Sequence, residues 1–205
     1  MSKLNNILRK RINRKNIKRL KNKDFSLIAS NCNGTFIYHD LNLQFRSPFI
    51  NLWIKPNDFI KYLQNINYYM KCELKFTSEI GINYPIGLLD NIKIYFQHYK
   101  SENEAKEKWI ERTKRINLNN LFILFTDRDG CTYQNLLEFD KLPYKNKVVF
   151  THKPYKEIKS AFYIKGFENE DSVGMCFEYL NKFTGKKIYD AFDYIKWFNG
   201  ELFKQ

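Results

Sequence analysis

The sequence has no apolar run of the length that a membrane-spanning helix needs, which is about 18 residues or more. Residues 1–23 also lack the apolar core of a secretion signal. The four cysteines form no Cys-x-x-Cys pair and no zinc-type spacing. We therefore expect a cytoplasmic protein whose cysteines are free thiols in reducing surroundings.

Acidic residues are absent from residues 1–23, and the first one in the chain is Asp24. Ten of the 35 basic residues lie in that segment, which leaves 25 basic against 22 acidic residues in the rest of the chain. Most of the net charge of +13 therefore belongs to one short segment. Because the body has no matching excess of positive charge, the charge pattern disfavours nucleic acid as the partner.

The basic segment has the pattern of a helix over residues 3–21, with Leu4, Ile7, Leu8 and Ile12 at helical spacing and an almost wholly positive polar face. Such a helix is suited to lie on the anionic inner face of a membrane. The alternative is a solvated helix that packs its apolar stripe on the body. We thus divide the chain into a basic amphipathic arm, 1–23, and one α/β domain, 24–205.

Short apolar strands alternate with helices after the arm. Alternation of this kind predicts a layered α/β fold with a mainly parallel sheet, built as one unit or as two small α/β subdomains. The predicted strands are 25–30, 91–97, 120–126, 146–151 and 161–164, with further extended pieces at 48–54, 73–76 and 84–89. The predicted helices are 56–69, 101–116, 132–140 and 188–199.

Polar and reactive side chains follow four of the strands. Residues 31–34 (Asn-Cys-Asn-Gly), His98, residues 127–130 (Asp-Arg-Asp-Gly) and the pair His152-Lys153 each come directly after an apolar strand. Ligands of open parallel α/β sheets bind beyond the carboxyl ends of the strands. If the four strands are parallel neighbours, these segments meet at one edge and form a candidate active site.

Cys32 lies on a predicted tight turn, where its sulfur would project and backbone N–H groups would face an oxyanion. A cysteine nucleophile needs a base, and His98 is the better candidate, with Asp129 to orient it. Asn31, Asn33 and Gly34 would bind the substrate and help to hold the oxyanion. The alternative is that Cys32 is simply a small buried apolar residue.

The two carboxylates of Asp127 and Asp129 could instead share Mn²⁺ or Mg²⁺ with the phosphates of a sugar nucleotide. A structural alternative is that one of them caps the following helix and that Asp129-Gly130 makes the turn. Arg128 and Lys153, with His152 beside them, would add positive charge for an anionic substrate.

Four runs together resemble a bacterial family described as a domain of unknown function and associated with exopolysaccharide and capsule gene clusters: residues 26–41, 84–117, 120–132 and 142–155. The resemblance covers nearly all of residues 24–199. It implies an α/β fold with two subdomains and a role beside glycosyltransferases, and it supplies no reaction. The family's first motif has an aromatic residue and a second glycine that this chain lacks. The turn at Cys32 is also locally similar to one in a polysaccharide acyltransferase family that binds coenzyme A.

Three functions remain open on these grounds. The leading hypothesis is a transferase of surface-polysaccharide biosynthesis that moves an acyl group from a coenzyme A thioester to a glycan or lipid-linked glycan precursor. The second is a metal-dependent glycosyl- or phosphoryl transferase that uses Asp127 and Asp129. The third is a non-catalytic accessory protein that binds a glycan or nucleotide.

Overall fold

Two four-stranded sheets organise the chain, and the structure, a computed structural model, describes residues 3–201. The strands are β1 (Ser26–Ala29), β2 (Trp53–Ile54), β3 (Lys75–Thr77), β4 (Ile86–Leu89), β5 (Ile92–Tyr95), β6 (Leu121–Thr126), β7 (Lys147–Thr151) and β8 (Ala161–Tyr163). The first sheet has the order β1-β6-β7-β8 and is parallel throughout. The second has the order β2-β5-β4-β3 and is antiparallel.

Helices occupy both sides of the parallel sheet. They are α1 (Lys3–Arg19), α2 (Asn33–Asp40), α3 (Pro56–Gln64), α4 (Ile66–Tyr69), α5 (Glu102–Thr113), α6 (Tyr133–Lys141) and α7 (Tyr194–Phe198), with short 3₁₀ turns at Leu118–Asn120 and Ile188–Ala191. The predicted α/β class and the helix at the start of the chain are confirmed. The antiparallel sheet is an addition that the strand pattern did not reveal.

The parallel sheet is buried on both faces, which explains the continuous apolar run of β6. Along β6, Ile123 and Phe125 pack into one core cluster, whereas Phe122 and Leu124 pack into another. Alternate residues of a strand point to opposite faces, so one strand supplies both cores. The first cluster also contains Ile94 of the antiparallel sheet, and the two sheets therefore share it.

Two predicted helices differ from the structure, and one helix was not predicted. The helix predicted over 56–69 breaks at Asn65, where the backbone leaves the helical region at φ −133° and ψ 43°. The helix predicted over 188–199 is a 3₁₀ turn followed by α7. Helix α2 was not predicted, because Asn33 and Gly34 at its start are typical of turns.

Helix α1 packs on the body through polar residues. Its buried residues are Asn5, Arg9 and Asn16, whereas Leu4 and Ile7 are 47% and 54% exposed. The predicted packing of an apolar stripe on the body is therefore wrong for Leu4 and for Ile7. Residues 1–2 of the predicted arm and 202–205 of the predicted domain lie outside the described residues.

A buried ionic network holds α1 in place. The Arg9 guanidinium donates to Asp40, at the end of α2, at 2.6 Å and also donates to Asp190. Lys187 Nζ donates to the same Asp40 oxygen at 2.9 Å, and the Tyr189 hydroxyl donates to it as well. A buried carboxylate is stable only when it is paired, and Arg9 pairs with both Asp40 and Asp190. Position 9 therefore needs a basic residue, although an amphipathic helix would have an apolar residue there.

Arg9→Ala should lower the free energy of unfolding by about 3–5 kcal/mol, because it leaves two acids without their shared partner in a buried place. Chemical denaturation would measure the change. The matched control is Arg14→Ala, on the exposed face of the same helix, which should change stability by about 0.5 kcal/mol or less. Equal effects of the two variants would contradict the role of the network.

Acid should weaken the same network. Burial acts to raise the pKa of Asp40, but the hydrogen bond and charge of Arg9, with Lys187, outweigh it and hold that pKa below 3.8. A folded-state pKa below the unfolded one gives stability that is complete above about pH 4 and is lost as the pH falls through the folded value. Asp40→Asn should therefore flatten the stability profile below about pH 4, measured by denaturation at each pH. Asp24→Asn, which removes an exposed carboxylate paired with Arg46, is the control for the change in charge and should alter the free energy of unfolding by about 1 kcal/mol or less.

Candidate active site

Three of the four polar segments lie side by side at the carboxyl edge of the parallel sheet. Strands β1, β6 and β7 are neighbours, so residues 31–34, residues 127–130 and the pair His152-Lys153 leave the same edge. The fourth prediction is wrong in this respect. His98 follows β5 of the antiparallel sheet, where it is exposed and its Nε2 lies 3.0 Å from Gln97 Nε2.

The segment after β1 is held by its own asparagine. Asn31 Nδ2 donates to Thr126 Oγ1 at 2.8 Å, and the Asn33 backbone N–H donates to Asn31 Oδ1 at 3.3 Å. Asn31 thus joins the ends of β1 and β6. Gly34 allows α2 to approach the sheet, since a Cβ there would lie 2.9 Å from the Cβ of Ala29. These contacts give Asn31 and Gly34 a positioning role and leave Asn33 buried at the start of α2.

Asp127 and His152 form a buried pair at the centre of the edge. His152 Nδ1 lies 2.6 Å from Asp127 Oδ2, and the His152 backbone N–H donates to the same oxygen at 2.7 Å. The Val173 backbone N–H donates to Asp127 Oδ1 at 2.8 Å. A carboxylate only accepts hydrogen bonds when it is ionised, so an imidazole that faces it carries a proton on Nδ1, and the neutral form of that ring has Nε2 as its acceptor.

The His152 side chain is 8% exposed. Within residues 3–201, its Nε2 has no hydrogen-bond partner, and the ring of Tyr155 lies edge-on with its centre 6.5 Å away. A carboxylate that fixes the tautomer and the direction of an imidazole is the arrangement that general-base catalysis uses.

Asp129 and Arg128 occupy the turn that follows. Asp129 and Gly130 have φ of 61° and 82°, the left-handed backbone that Asp-Gly turns favour. Arg128 Nη2 lies 3.9 Å from Asp129 Oδ1, and both side chains are about a quarter exposed. In the part of the chain that the structure describes, no contact joins Asp129 to His98. The role of Asp129 in orienting His98 therefore stays a prediction that no described contact supports.

Asp127 is poorly placed as a metal ligand, because N–H donors already occupy both of its oxygens. Among residues 3–201, no group of three or more His, Cys, Asp or Glu side chains has a geometry that would hold a metal ion. The chemistry of this donor set therefore favours hydrogen bonding over Mn²⁺ or Mg²⁺ coordination at Asp127.

Three thiols surround the turn of residues 127–130. Burial raises the pKa of Cys32 to about 11, with a further increase from Asp129 and an opposing effect of Arg128. Burial also raises the pKa of Cys131 and of Cys176 to about 12. The nearest acceptor of the Cys32 thiol is the Leu52 carbonyl oxygen, at 3.8 Å. All three thiols are therefore protonated at neutral pH.

Two contributors to the site escaped the sequence analysis. Val173 donates its backbone N–H from a loop more than 40 positions after Asp127, and Thr126, the last residue of β6, accepts from Asn31. The loop carries no motif. A Cβ at Gly174 would lie 2.6 Å from the Phe167 ring, so the two residues pack closely. This packing is visible only in the folded structure.

Cys32 should react slowly with iodoacetamide at pH 7–8, and its rate should rise up to about pH 11, since the thiolate is the reacting species. Peptide mapping by mass spectrometry after timed labelling would follow each cysteine. Rapid labelling of Cys32 at pH 7, well ahead of the half-buried Cys72, would contradict the raised pKa.

Comparison with known proteins places the chain in a family. The model of a domain of unknown function, DUF1919, matches residues 3–199. A protein of Haemophilus influenzae strain Rd, described as uncharacterized, is 53% identical over 188 residues, which cover 92% of this chain and 90% of that protein. In residues 3–201, the structure has no helix both long and apolar enough to pass through a bilayer. The chain belongs to the DUF1919 family.

Proposed function

We propose that the protein is a transferase of surface-polysaccharide biosynthesis that moves an acyl group from a coenzyme A thioester to a hydroxyl of a glycan precursor. The observation that carries the proposal is the buried pair of Asp127 and His152 at the carboxyl edge of the parallel sheet. The resemblance of residues 26–41, 84–117, 120–132 and 142–155 to proteins of exopolysaccharide gene clusters supports the glycan class of the acceptor.

In this reaction, His152 Nε2 takes the proton of the acceptor hydroxyl while that oxygen attacks the thioester carbonyl. The C–S bond of the donor then breaks, and the imidazolium returns its proton to the departing thiolate. Asp127 holds the ring and stabilises its protonated form, as a carboxylate does beside a catalytic histidine. His152 thus takes the part of the base that the sequence analysis gave to His98.

The surroundings of the pair suit an anionic donor. Arg128 is partly exposed on the turn beside Asp127, and Lys153 follows His152 on the surface. Both cations could contact the phosphates of coenzyme A. The first backbone N–H groups of a helix have no partner inside it, so that of Gly34 in α2 is the candidate donor to the oxyanion.

Cys32 distinguishes two versions of the transfer. In direct transfer, the protonated thiol only lines the site. In a two-step version, Cys32 receives the acyl group first and needs a base, which is the role that sequence reasoning assigned to His98. The high pKa of Cys32 favours direct transfer, and so does the side-chain contact of the exposed His98, which among the described residues is with Gln97 and not with Cys32.

A thermal-shift panel with acetyl-CoA, CoA, UDP-sugars and CMP-sugars, each with and without Mn²⁺, tests the donor class. Binding at about 100 times the dissociation constant should stabilise the fold by about 2.7 kcal/mol. Metal-independent stabilisation by CoA supports acyl transfer. Stabilisation that needs Mn²⁺ and a sugar nucleotide would support the alternative with Asp127 and Asp129, and binding without turnover would support an accessory protein.

His152→Gln should reduce release of CoA from acetyl-CoA by about a hundredfold or more, because it removes the base and keeps the size of the side chain. A thiol reagent that detects free CoA gives the measurement. His39→Gln is the matched control, since His39 is exposed and packs only its ring edge on Phe45, 5.2 Å between centres. That variant should keep full activity.

His98→Gln and Cys32→Ala decide between the two versions of the transfer. Loss of activity in both, with His152→Gln active, would contradict direct transfer and restore the pair of Cys32 and His98.

The expected location at the inner face of a membrane also belongs to the proposal, because a lipid-linked acceptor would lie there.

A further inference from the structure

The outer face of α1 carries apolar and basic side chains that the body leaves exposed. Helix positions three and four apart share one face. Leu4, Ile7, Arg11, Arg14 and Lys18 follow one another at this spacing, opposite the buried Asn5 and Arg9. The exposed stripe is therefore apolar in the first turns of α1 and basic after them.

Most exposed basic residues of α1 differ from Arg9 and Arg19 in their pairing. Arg9 and Arg19 form ion pairs with aspartates. Within residues 3–201, no acid lies in salt-bridge range of the following four: Lys10, Arg11, Arg14 and Lys18. Their charge is thus available to an anionic partner.

A small hairpin presents two more apolar side chains. Residues 179–187 are closed by a bridge between Tyr179 and Lys187 and by the Leu180 backbone N–H, which donates to the Lys186 carbonyl at 2.8 Å. Leu180 is 57% exposed and Phe183, at the tip, is 75% exposed. Large apolar side chains held in the open on an ordered tip are characteristic of surfaces that enter an interface.

The tip is ordered by its own hydrogen bonds. Asn181 Oδ1 accepts from the Phe183 and Thr184 backbone N–H groups at 2.9 Å and 3.0 Å, which fixes the turn. Phe183 is therefore exposed as part of a defined structure.

The hairpin and the first turns of α1 are joined directly. Asn5 Nδ2 donates to the Asn181 carbonyl at 2.8 Å, and the Gly185 backbone N–H donates to Asn5 Oδ1 at 3.1 Å. A Cβ at Gly185 would lie 2.6 Å from Leu8 Cβ, so the hairpin packs against the side of α1 that Leu8 occupies. Leu8 lies four positions after Leu4, so the hairpin borders the stripe at its apolar end. We name the exposed stripe of α1, with Lys10, Leu180 and Phe183, the α1–hairpin surface.

We propose that the α1–hairpin surface docks on an anionic lipid membrane, with Leu4, Ile7 and Phe183 in the boundary between headgroups and acyl chains and with the basic residues on the headgroups. Apolar side chains beside unpaired cations are the composition of interfacial membrane-binding surfaces. Nucleic acid would use the cations but would leave the three apolar side chains in water. The inference rests on the proposed location at a membrane and is independent of the transfer reaction.

Sedimentation of the full chain with vesicles tests the surface. Vesicles of phosphatidylcholine with 30–40% phosphatidylglycerol (about that fraction gives a strongly anionic surface) should bind the protein, and pure phosphatidylcholine should not. Replacing Arg11, Arg14 and Lys18 with Glu should weaken binding by about a hundredfold or more, since each basic residue contributes roughly a factor of five. Phe183→Ser and Ile7→Ser should each weaken it by about tenfold, through the loss of buried apolar area.

The matched control replaces three exposed lysines on other elements with Glu: Lys141, Lys145 and Lys159. It makes the same change in net charge and should retain most of the binding, and circular dichroism melts would establish that each variant is folded. Equal loss in the control would show that only net charge matters and would overturn the docking surface. Full binding by Phe183→Ser and Ile7→Ser, together with equally strong binding to single-stranded DNA, would overturn it in favour of a general polyanion site.

Discussion

The carboxylate of Asp127 is the contact on which the arrangement of the candidate site depends. It lies at the end of the central strand β6 and accepts hydrogen bonds from the end of β7 and from the loop at Val173. A buried charge is costly unless several donors compensate it, and here three N–H groups do so. One side chain thereby fixes the two strand ends, the loop and the direction of the His152 ring.

The cysteines of the same region are poorly suited to act as nucleophiles near neutral pH. Burial and the nearby aspartates raise the pKa values of Cys32, Cys131 and Cys176 and keep these thiols protonated. The proposed chemistry therefore rests on the buried pair of Asp127 and His152 and not on the cysteine that stands out in the sequence.

Much of the fold was predictable because apolar periodicity reports burial. The run of β6, buried on both faces, and the cap of α5, where Ser101 accepts from the Glu104 backbone N–H at 3.2 Å, both follow from local sequence. The place of His98 did not, because a strand's pattern does not tell which sheet it joins. Helix α2 was hidden for a related reason: packing on β1 outweighs the turn preference of Asn33 and Gly34.

The candidate site shows the same division between local and distant information. Polar residues after β1, β6 and β7 could be assigned to one edge from the chain alone, given parallel strands. Their partners could not, because the pairing of Asp127 with His152 joins residues 25 positions apart and its third donor comes from a loop without a motif. Hydrogen bonds between residues far apart in the sequence depend on the folded geometry, which the sequence alone does not give.

The polar docking of α1 has a consequence for the order in which the chain can fold. The partner of Arg9 in the C-terminal segment is 181 positions away, and those of Asn5 and Asn16 are 176 and 178 positions away. During synthesis α1 emerges from the ribosome well before these partners, and before the strands of both sheets. Its polar face therefore stays in water until they are made, and its docking comes late in folding.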